Sequence, residues 1–150
     1  MRLVIQRVTY ASVTIDGIKV SEIAKGLLIL VGIEDVDTEA DAEWLAQKVS
    51  KIRIFDDENG VMNLSVNDVH GEVLVVSQFT LHALTAKGNR PSYIRASKPD
   101  HAIPLYNCFV NQLQSLLSKT VQTGRFGADM KVQLLNDGPV TILMDSQRKE

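Results

Sequence analysis

A glycine-proline pair, Gly138-Pro139, lies near the end of the chain between two stretches that each alternate apolar and polar residues. Proline has a fixed φ and no N–H, the glycine before it can adopt positive φ, and a cis peptide bond is plausible between them. The flanking stretches, Met130–Leu134 and Val140–Met144, have the pattern of half-buried strands. The simplest interpretation of Asn136–Thr141 is a tight link between two strands. Such a link would also present bare carbonyl groups.

A second unusual stretch is Ser77-Gln78-Phe79-Thr80-Leu81, which follows the apolar run Val73–Val76. It places three hydrogen-bonding side chains around one aromatic ring. Gln78 and Thr80 are two residues apart, so in an extended chain both would point to one face. Taken together with Asn136–Thr141, this stretch suggests a functional site.

The remaining chain contains many short strand-like runs and only two stretches of helical period. Helices are expected near 38–52, where Thr38 and Asp41 resemble a capping box, and near 99–118, where Pro104 should kink the helix or delay its start. These patterns predict one domain over residues 1–150 with an α+β fold: a barrel-like layer of mixed, largely antiparallel sheet with two helices packed on one side. Strands are expected at Met1–Val8, Val13–Ile15, Ile18–Val20, Leu27–Val31, Arg53–Phe55, Glu72–Ser77 and Val121–Thr123, with Asp16-Gly17 as a hairpin turn and Leu27–Val31 in a central position.

Several classes of protein are disfavoured by the composition. No apolar run is long enough for a signal segment or a membrane span, so a cytoplasmic protein is expected. A single cysteine, Cys108, forms no internal disulfide, and the three histidines are too widely spaced for a metal site, so neither a metal nor another cofactor is expected. The net charge of −2 argues against non-specific nucleic-acid binding, although a local basic patch could still hold a phosphate backbone.

A long polar segment, Leu81–Ser97, follows the second stretch and has no sustained period. Loops of this length are often functional. Its basic residues lie beside Ser77–Leu81 and are candidate RNA contacts, although a solvated charged loop explains them equally well. The candidates are Lys87, Arg90 and Arg95, with Lys98 just beyond.

Thr80 is the obvious candidate nucleophile, but activation of its hydroxyl needs a base, and the only local one is His82. A Thr80/His82 esterase would lack both a nucleophile elbow and an identifiable third member. A site without a strong base must depend on positioning, oriented water and backbone dipoles. A third alternative is an RNA-binding module that uses the basic residues on phosphates without hydrolysis.

Distinctive short motifs lie along the whole chain. They are Met1-Arg2, Val4–Val8, Ala11–Val13, Gly26–Leu28, Lys51–Phe55 running to Met62-Asn63, Ser77–Leu81, Lys87-Gly88, Arg90–Ser92, Phe126–Ala128 with Met130, and Asn136–Thr141. In this order, the motifs resemble those of the D-aminoacyl-tRNA deacylases, once called D-tyrosyl-tRNA deacylases, over essentially the whole chain. The departures are Pro104 and the Leu81–Leu84 segment, where a more polar or aromatic loop is usual.

The resemblance implies an enzyme that hydrolyses the ester between a D-amino acid and the terminal adenosine of tRNA. It implies a homodimer with two interface sites, each combining Ser77–Leu81 of one chain with a Gly-cis-Pro formed by Gly138-Pro139 of the other. Carbonyls of that pair would exclude an L side chain, while a D side chain would point to solvent. Glycine has no side chain to clash, so glycyl-tRNA is an expected secondary substrate.

The resemblance also implies roles for individual residues. Gln78 and Thr80 would orient water or the ester, backbone N–H groups near Phe79 would bind the carbonyl oxygen, and the 2′-hydroxyl of the terminal ribose would assist catalysis. Substrate-binding roles fall to Ser77, Phe79, Ala96, Met130, Gly138 and Pro139, with Phe79 as the floor of the pocket, Met130 as its wall and Ala96 beside the amino group. RNA contacts fall to Lys87, Arg90 and Arg95.

Overall fold

The computed structural model describes residues 1–150 and contains eight strands, two α-helices and one 3₁₀ turn. The strands are β1 (Arg2–Ile15), β2 (Ile18–Ile23), β3 (Gly26–Gly32), β4 (Phe55–Asp56), β5 (Met62–Leu64), β6 (Glu72–Ser77), β7 (Gln122–Thr123) and β8 (Lys131–Asp145). The helices are α1 (Glu39–Lys51) and α2 (Pro99–Leu116), and the 3₁₀ turn, which we call the 79–82 turn, is Phe79–His82.

The main sheet is mixed and largely antiparallel. Its strand order is β2-β1-β3-β6-β7, and β8 pairs with β1 outside this order. The strands β4 and β5 form a separate two-stranded sheet. The strand β1 is antiparallel to β2, β3 and β8, while β6 is parallel to both β3 and β7. Because β2 also contacts β6 and β7, the sheet curls towards a barrel. The predicted α+β class is therefore confirmed.

The central strand β3 has apolar residues on both faces because each face belongs to a different core. Leu27, Ile29 and Val31 join a cluster of 22 buried residues that includes the inner faces of both helices. Leu28 joins a second cluster of 8 buried residues, inside the curl of the sheet. Complete burial of one such side chain is worth about 1.5–3 kcal/mol, so a polar residue anywhere in this run would be costly.

Both helices begin where local sequence signals place them. The amide of Thr38 donates to the Asp41 carboxylate (2.8 Å), as in a capping box, and α1 follows at once. Helix α2 starts with Pro99 in its first turn, a position that needs no N–H. Pro104 lies inside α2, so the expectation that it delays the start of the helix is wrong. Neither helix has the length and apolar character needed to cross a membrane.

Two predicted boundaries need correction. The hairpin residues Asp16 and Gly17 do have positive φ (50° and 77°), but β1 runs unbroken through the expected gap between Val8 and Val13. The expected strand Arg53–Phe55 is only Phe55–Asp56.

The largest correction concerns β8, because the expected link between two strands is a bulge within one strand. Gln6 of β1 faces Thr141 and Val8 faces Asn136, so residues 137–140 all lie opposite Arg7. Within this bulge Gly138 has φ 132° and its peptide bond to Pro139 is cis. A bulge tolerates both residues because it leaves the ladder locally unpaired. The residues of β8 before and after the bulge all pair with β1, so they belong to one strand.

Candidate active site

A cleft of about 630 Å³ opens at the carboxyl ends of the parallel strands β3 and β6. Eleven of its 18 lining residues are hydrophobic, which is typical of a small-molecule site with a few orienting polar groups. Ligands commonly bind at this end of parallel strands. The other sides are formed by residues 93–98, which we call the cleft wall, by the start of α2, and by residues 126–132.

Five residues predicted from sequence line this cleft although they come from three distant parts of the chain. They are Ser77, Gln78, Phe79, Ala96 and Met130. Thr80 lies just outside the lining, and its hydroxyl oxygen accepts a hydrogen bond of 2.6 Å from the Gln78 side-chain amide.

Gln78 and Thr80 meet for a different reason from the one expected. The chain is not extended at this point, because residues 79–82 form a 3₁₀ turn directly after β6. The turn brings the Thr80 hydroxyl back towards the Gln78 side chain, while the Gln78 backbone amide donates to the Val31 carbonyl of β3 (2.7 Å). The first N–H groups of such a turn have no partner within it, and neither Phe79 nor Thr80 donates to a backbone carbonyl elsewhere.

His82 is not placed as a base for Thr80. It is 1% exposed, and neither ring nitrogen has a hydrogen-bond partner. Oε1 of the Glu34 carboxylate lies 3.8 Å from the His82 Nδ1. A general base needs hydrogen-bond contact with the proton that it removes, so this geometry does not support a Thr80/His82 pair.

Aromatic and sulfur side chains shape the rest of the cleft. Phe79 contacts Tyr93 edge to face, with ring centroids 5.1 Å apart. The Met130 sulfur lies against Gly124 so closely that a Cβ there would overlap it. Behind the cleft the Tyr106 hydroxyl donates to the Val75 carbonyl (2.9 Å), and burial raises the pKa of Tyr106 to about 12. Tyr106 therefore stays a neutral donor at physiological pH.

Gly138 and Pro139 do not line the cleft of their own chain. Both are exposed, on the bulge of β8. Arg7 links the bulge to the chain beside it. Its Nε donates to the Asp137 carbonyl (3.0 Å), and its Nη1 donates to the Ile54 carbonyl (2.7 Å). The Arg7 side chain is only 8% exposed.

The predicted RNA contacts differ in their surroundings. Lys87 and Arg90 are exposed and do not line the cleft. Arg95 is partly exposed, but its guanidinium holds the Glu34 carboxylate through Nη2 (2.6 Å) and Nε (3.2 Å). Lys98, at the end of the cleft wall, does line the cleft. The chain has no group of three or more His, Cys, Asp or Glu side chains arranged to hold a metal ion.

Sequence reasoning missed two residues beside these segments. The sequence motifs include Arg7 within Val4–Val8 but predict no separate role for it, and they do not include Glu34. The available signal was a charged residue next to an apolar strand: Arg7 interrupts the apolar part of β1, and Glu34 follows β3. A buried charge needs a partner, and sequence alone does not name one.

The fold is α+β, and its cleft brings an amide, a hydroxyl and unpaired backbone N–H groups together at one end of a parallel strand pair. The family model described as D-Tyr-tRNA(Tyr) deacylase matches residues 4–145. The chain belongs to this family, whose members are hydrolases, as the motifs indicated.

Curated relatives support the same family. The chain is 67% identical to a D-aminoacyl-tRNA deacylase of Parabacteroides distasonis and 65% identical to one of Flavobacterium johnsoniae, in both cases over 100% of each chain.

Two solved structures share the architecture. The structure titled c-Myc DNA Unwinding Element Binding Protein has a TM-score of 0.91 and 41% identity, and the match covers 97% of this chain and 98% of that one. A probable eukaryotic D-amino acid tRNA deacylase has a TM-score of 0.79 at 16% identity, covering 95% and 97%, which shows a shared fold alone.

Proposed function

We propose that the protein hydrolyses the ester bond of D-aminoacyl-tRNA in this cleft. Water adds its oxygen to the acyl carbon, and the bond to the ribose oxygen of the terminal adenosine breaks. A proton goes to that oxygen, so the products are a free D-amino acid and a reusable tRNA. Together with family membership, the observation that carries the assignment is the Gln78–Thr80 hydrogen bond at the edge of the cleft.

Gln78 and Thr80 orient the water or the ester in this mechanism. The amide of Gln78 already uses one N–H on Thr80, and the Thr80 hydroxyl keeps its own proton to donate. The unpaired N–H groups of Phe79 and Thr80 stabilise the carbonyl oxygen as it becomes negative.

The cleft supplies no strong base of its own. No histidine lines it, and the Asp129 carboxylate at its edge is bound by Lys131 (2.9 Å). Activation of water therefore falls to the substrate, through the 2′-hydroxyl of the terminal ribose. Lys87 and Arg90, both exposed, contact the phosphates of the acceptor end.

Selection against L-amino acids comes from the bulge of a second copy of the chain. Gly138 and Pro139 are exposed, and Arg7 donates a hydrogen bond to the backbone of the bulge. On either side of the bulge Leu135 and Leu143 are 63% and 70% exposed, which suits burial against another protein surface. In a twofold dimer each bulge enters the cleft of the other chain, and its carbonyls exclude an L side chain.

Glycine has no side chain for the bulge to exclude, so glycyl-tRNA is a second substrate. The whole chain acts as one domain, because β3 contributes to both cores. Its substrate belongs to translation, which supports a location in the cytoplasm.

The function is tested by incubating the protein with D-tyrosyl-tRNA, L-tyrosyl-tRNA and glycyl-tRNA and following loss of the ester. We expect rapid loss from the D-tyrosyl and glycyl substrates and none from the L-tyrosyl substrate. Gln78→Ala should abolish most of this activity. Equal hydrolysis of the D- and L-substrates would contradict the chiral mechanism, and full activity of Gln78→Ala would contradict the assignment to this cleft.

A further inference from the structure

Glu34 is a buried carboxylate between two segments that line the cleft. It follows β3 and is 6% exposed. One of its oxygens faces the 79–82 turn and the other faces the cleft wall. A carboxylate this deeply buried is expensive unless it is paired, so its partners decide what it does.

On the side of the 79–82 turn Glu34 faces His82 without a hydrogen bond between them. Nδ1 of His82 lies 3.8 Å from Oε1 of Glu34, and both ring nitrogens lack a hydrogen-bond partner. A hydrogen bond needs about 2.7–3.2 Å, so a movement of under ~1 Å would form one. The turn also rests on the end of β3, where a Cβ on Gly32 would lie only 2.9 Å from the Leu81 Cβ.

On the side of the cleft wall the partner is Arg95. Two of its nitrogens hold Oε2 of Glu34, and the backbone of Glu34 bridges to that of Ala96. The next residue, Ser97, donates its amide to the Ile33 carbonyl (2.9 Å) and its hydroxyl to the Asp35 carboxylate (2.7 Å). The wall is thus attached to the end of β3 beside Glu34.

We propose that Glu34 is a positioning residue that sets the width of the cleft. It holds the cleft wall through Arg95, and it holds the 79–82 turn through the hydrogen bond that a movement of under ~1 Å would form with His82. Phe79 starts the turn and Tyr93 and Ala96 lie in the wall, so Glu34 controls the spacing between groups on both sides of the substrate. In this proposal Arg95 positions the cleft wall by binding Glu34, and this role does not require contact with a phosphate. The inference rests on the proposed assignment of the cleft as the active site.

The test compares Glu34→Gln, Arg95→Gln and their double variant on D-tyrosyl-tRNA and on D-tyrosyl-adenosine, an ester with no phosphates. Glu34→Gln keeps the shape of the side chain but loses its charge. Misplacement by about 1 Å can cost 10²-fold in rate, so we expect kcat to fall about ten-fold or more on both substrates with KM little changed. The double variant should lose no more than either single one.

Conservative variants separate positioning from simple damage to the fold. Arg95→Lys keeps the charge without the fork of donors and should recover part of the lost kcat. His82→Leu removes both ring nitrogens and should lower kcat as Glu34→Gln does. The matched control is Glu22→Gln, which removes a carboxylate paired with Lys19 on the exposed strand β2 and should leave kcat unchanged.

Three results would overturn the proposal. One is a raised KM for Arg95→Gln on tRNA alone, with a salt slope smaller by about one, since that identifies a phosphate contact. Another is unchanged kcat for Glu34→Gln or His82→Leu. The last is a lowered melting temperature with normal kcat for the folded fraction of Glu34→Gln and of Arg95→Lys. Because Gln78→Ala independently tests the cleft, these failures are distinguishable from failure of the proposed function.

Discussion

At the residue scale, Thr80 tests whether the enzyme uses a covalent step. Its hydroxyl is bound by Gln78, and His82 is not within reach as a base. We therefore predict that Thr80→Ala loses one hydrogen bond, worth ~1 kcal/mol, and that kcat falls only roughly five-fold. Replacing the terminal ribose 2′-hydroxyl of the substrate with hydrogen should cost more. Single-turnover assays on both substrates measure this, and an acyl group trapped on Thr80 by acid quench would disprove it.

Arg7 is the second residue whose environment makes a prediction. Its buried guanidinium satisfies the carbonyls of Ile54 and Asp137. Arg7→Met keeps much of the side-chain volume but leaves both carbonyls without this donor, at about 1–3 kcal/mol each. We expect a lower urea midpoint together with weaker rejection of L-tyrosyl-tRNA. Loss of stability with unchanged rejection would show that Arg7 does not act through the bulge.

At the element scale, the bulge of β8 depends on a glycine at one position. Gly138 has φ 132°, and a Cβ there would lie 2.8 Å from Val140 Cγ2 and 3.2 Å from Arg7 Nη2. Gly138→Ala should therefore cost about 1–3 kcal/mol in unfolding free energy and disturb the bulge. Urea denaturation and the D/L ratio measure the two effects.

The matched control for this element is Gly17→Ala. Gly17 also has positive φ (77°), but a Cβ there meets nothing within 4 Å. We expect a small loss of stability and an unchanged D/L ratio. If the two variants behave alike in the D/L ratio, the bulge has no special part in selectivity.

At the scale of the whole molecule, the proposed site requires two chains. Gln78 lines the cleft, while the exposed Gly138 lies outside the cleft of its own chain. We predict a dimer by sedimentation and mutual rescue when Gln78→Ala is refolded with Gly138→Val, whose side chain would obstruct the partner's cleft. Each mixed dimer would contain one intact site, so random mixing should restore about a quarter of wild-type activity. A fully active monomer, or no rescue from two well-folded variants, would contradict shared sites.

Features whose causes lie within a few neighbouring residues could be predicted from the amino-acid sequence. Thr38 and Asp41 start α1, Asp16-Gly17 closes a hairpin, and Leu27–Val31 has to be buried on both faces. Backbone conformations and short-range hydrogen bonds cause the first two features, and a burial pattern along a single strand causes the third. The motif of residues 77–81 was likewise recognisable, although its 3₁₀ conformation was not.

Contacts between distant residues became visible only in the folded molecule. The register of β8 on β1 turned an expected link into a bulge opposite Arg7, and the packing of residues 93–98 and 126–132 around the ends of β3 and β6 placed Ala96 and Met130 in the same cleft. Glu34 and Arg95 are 61 residues apart, and no local pattern predicts their contact. Such pairings depend on the register of long strands and on satisfying every buried charge at once, which are properties of the packed molecule.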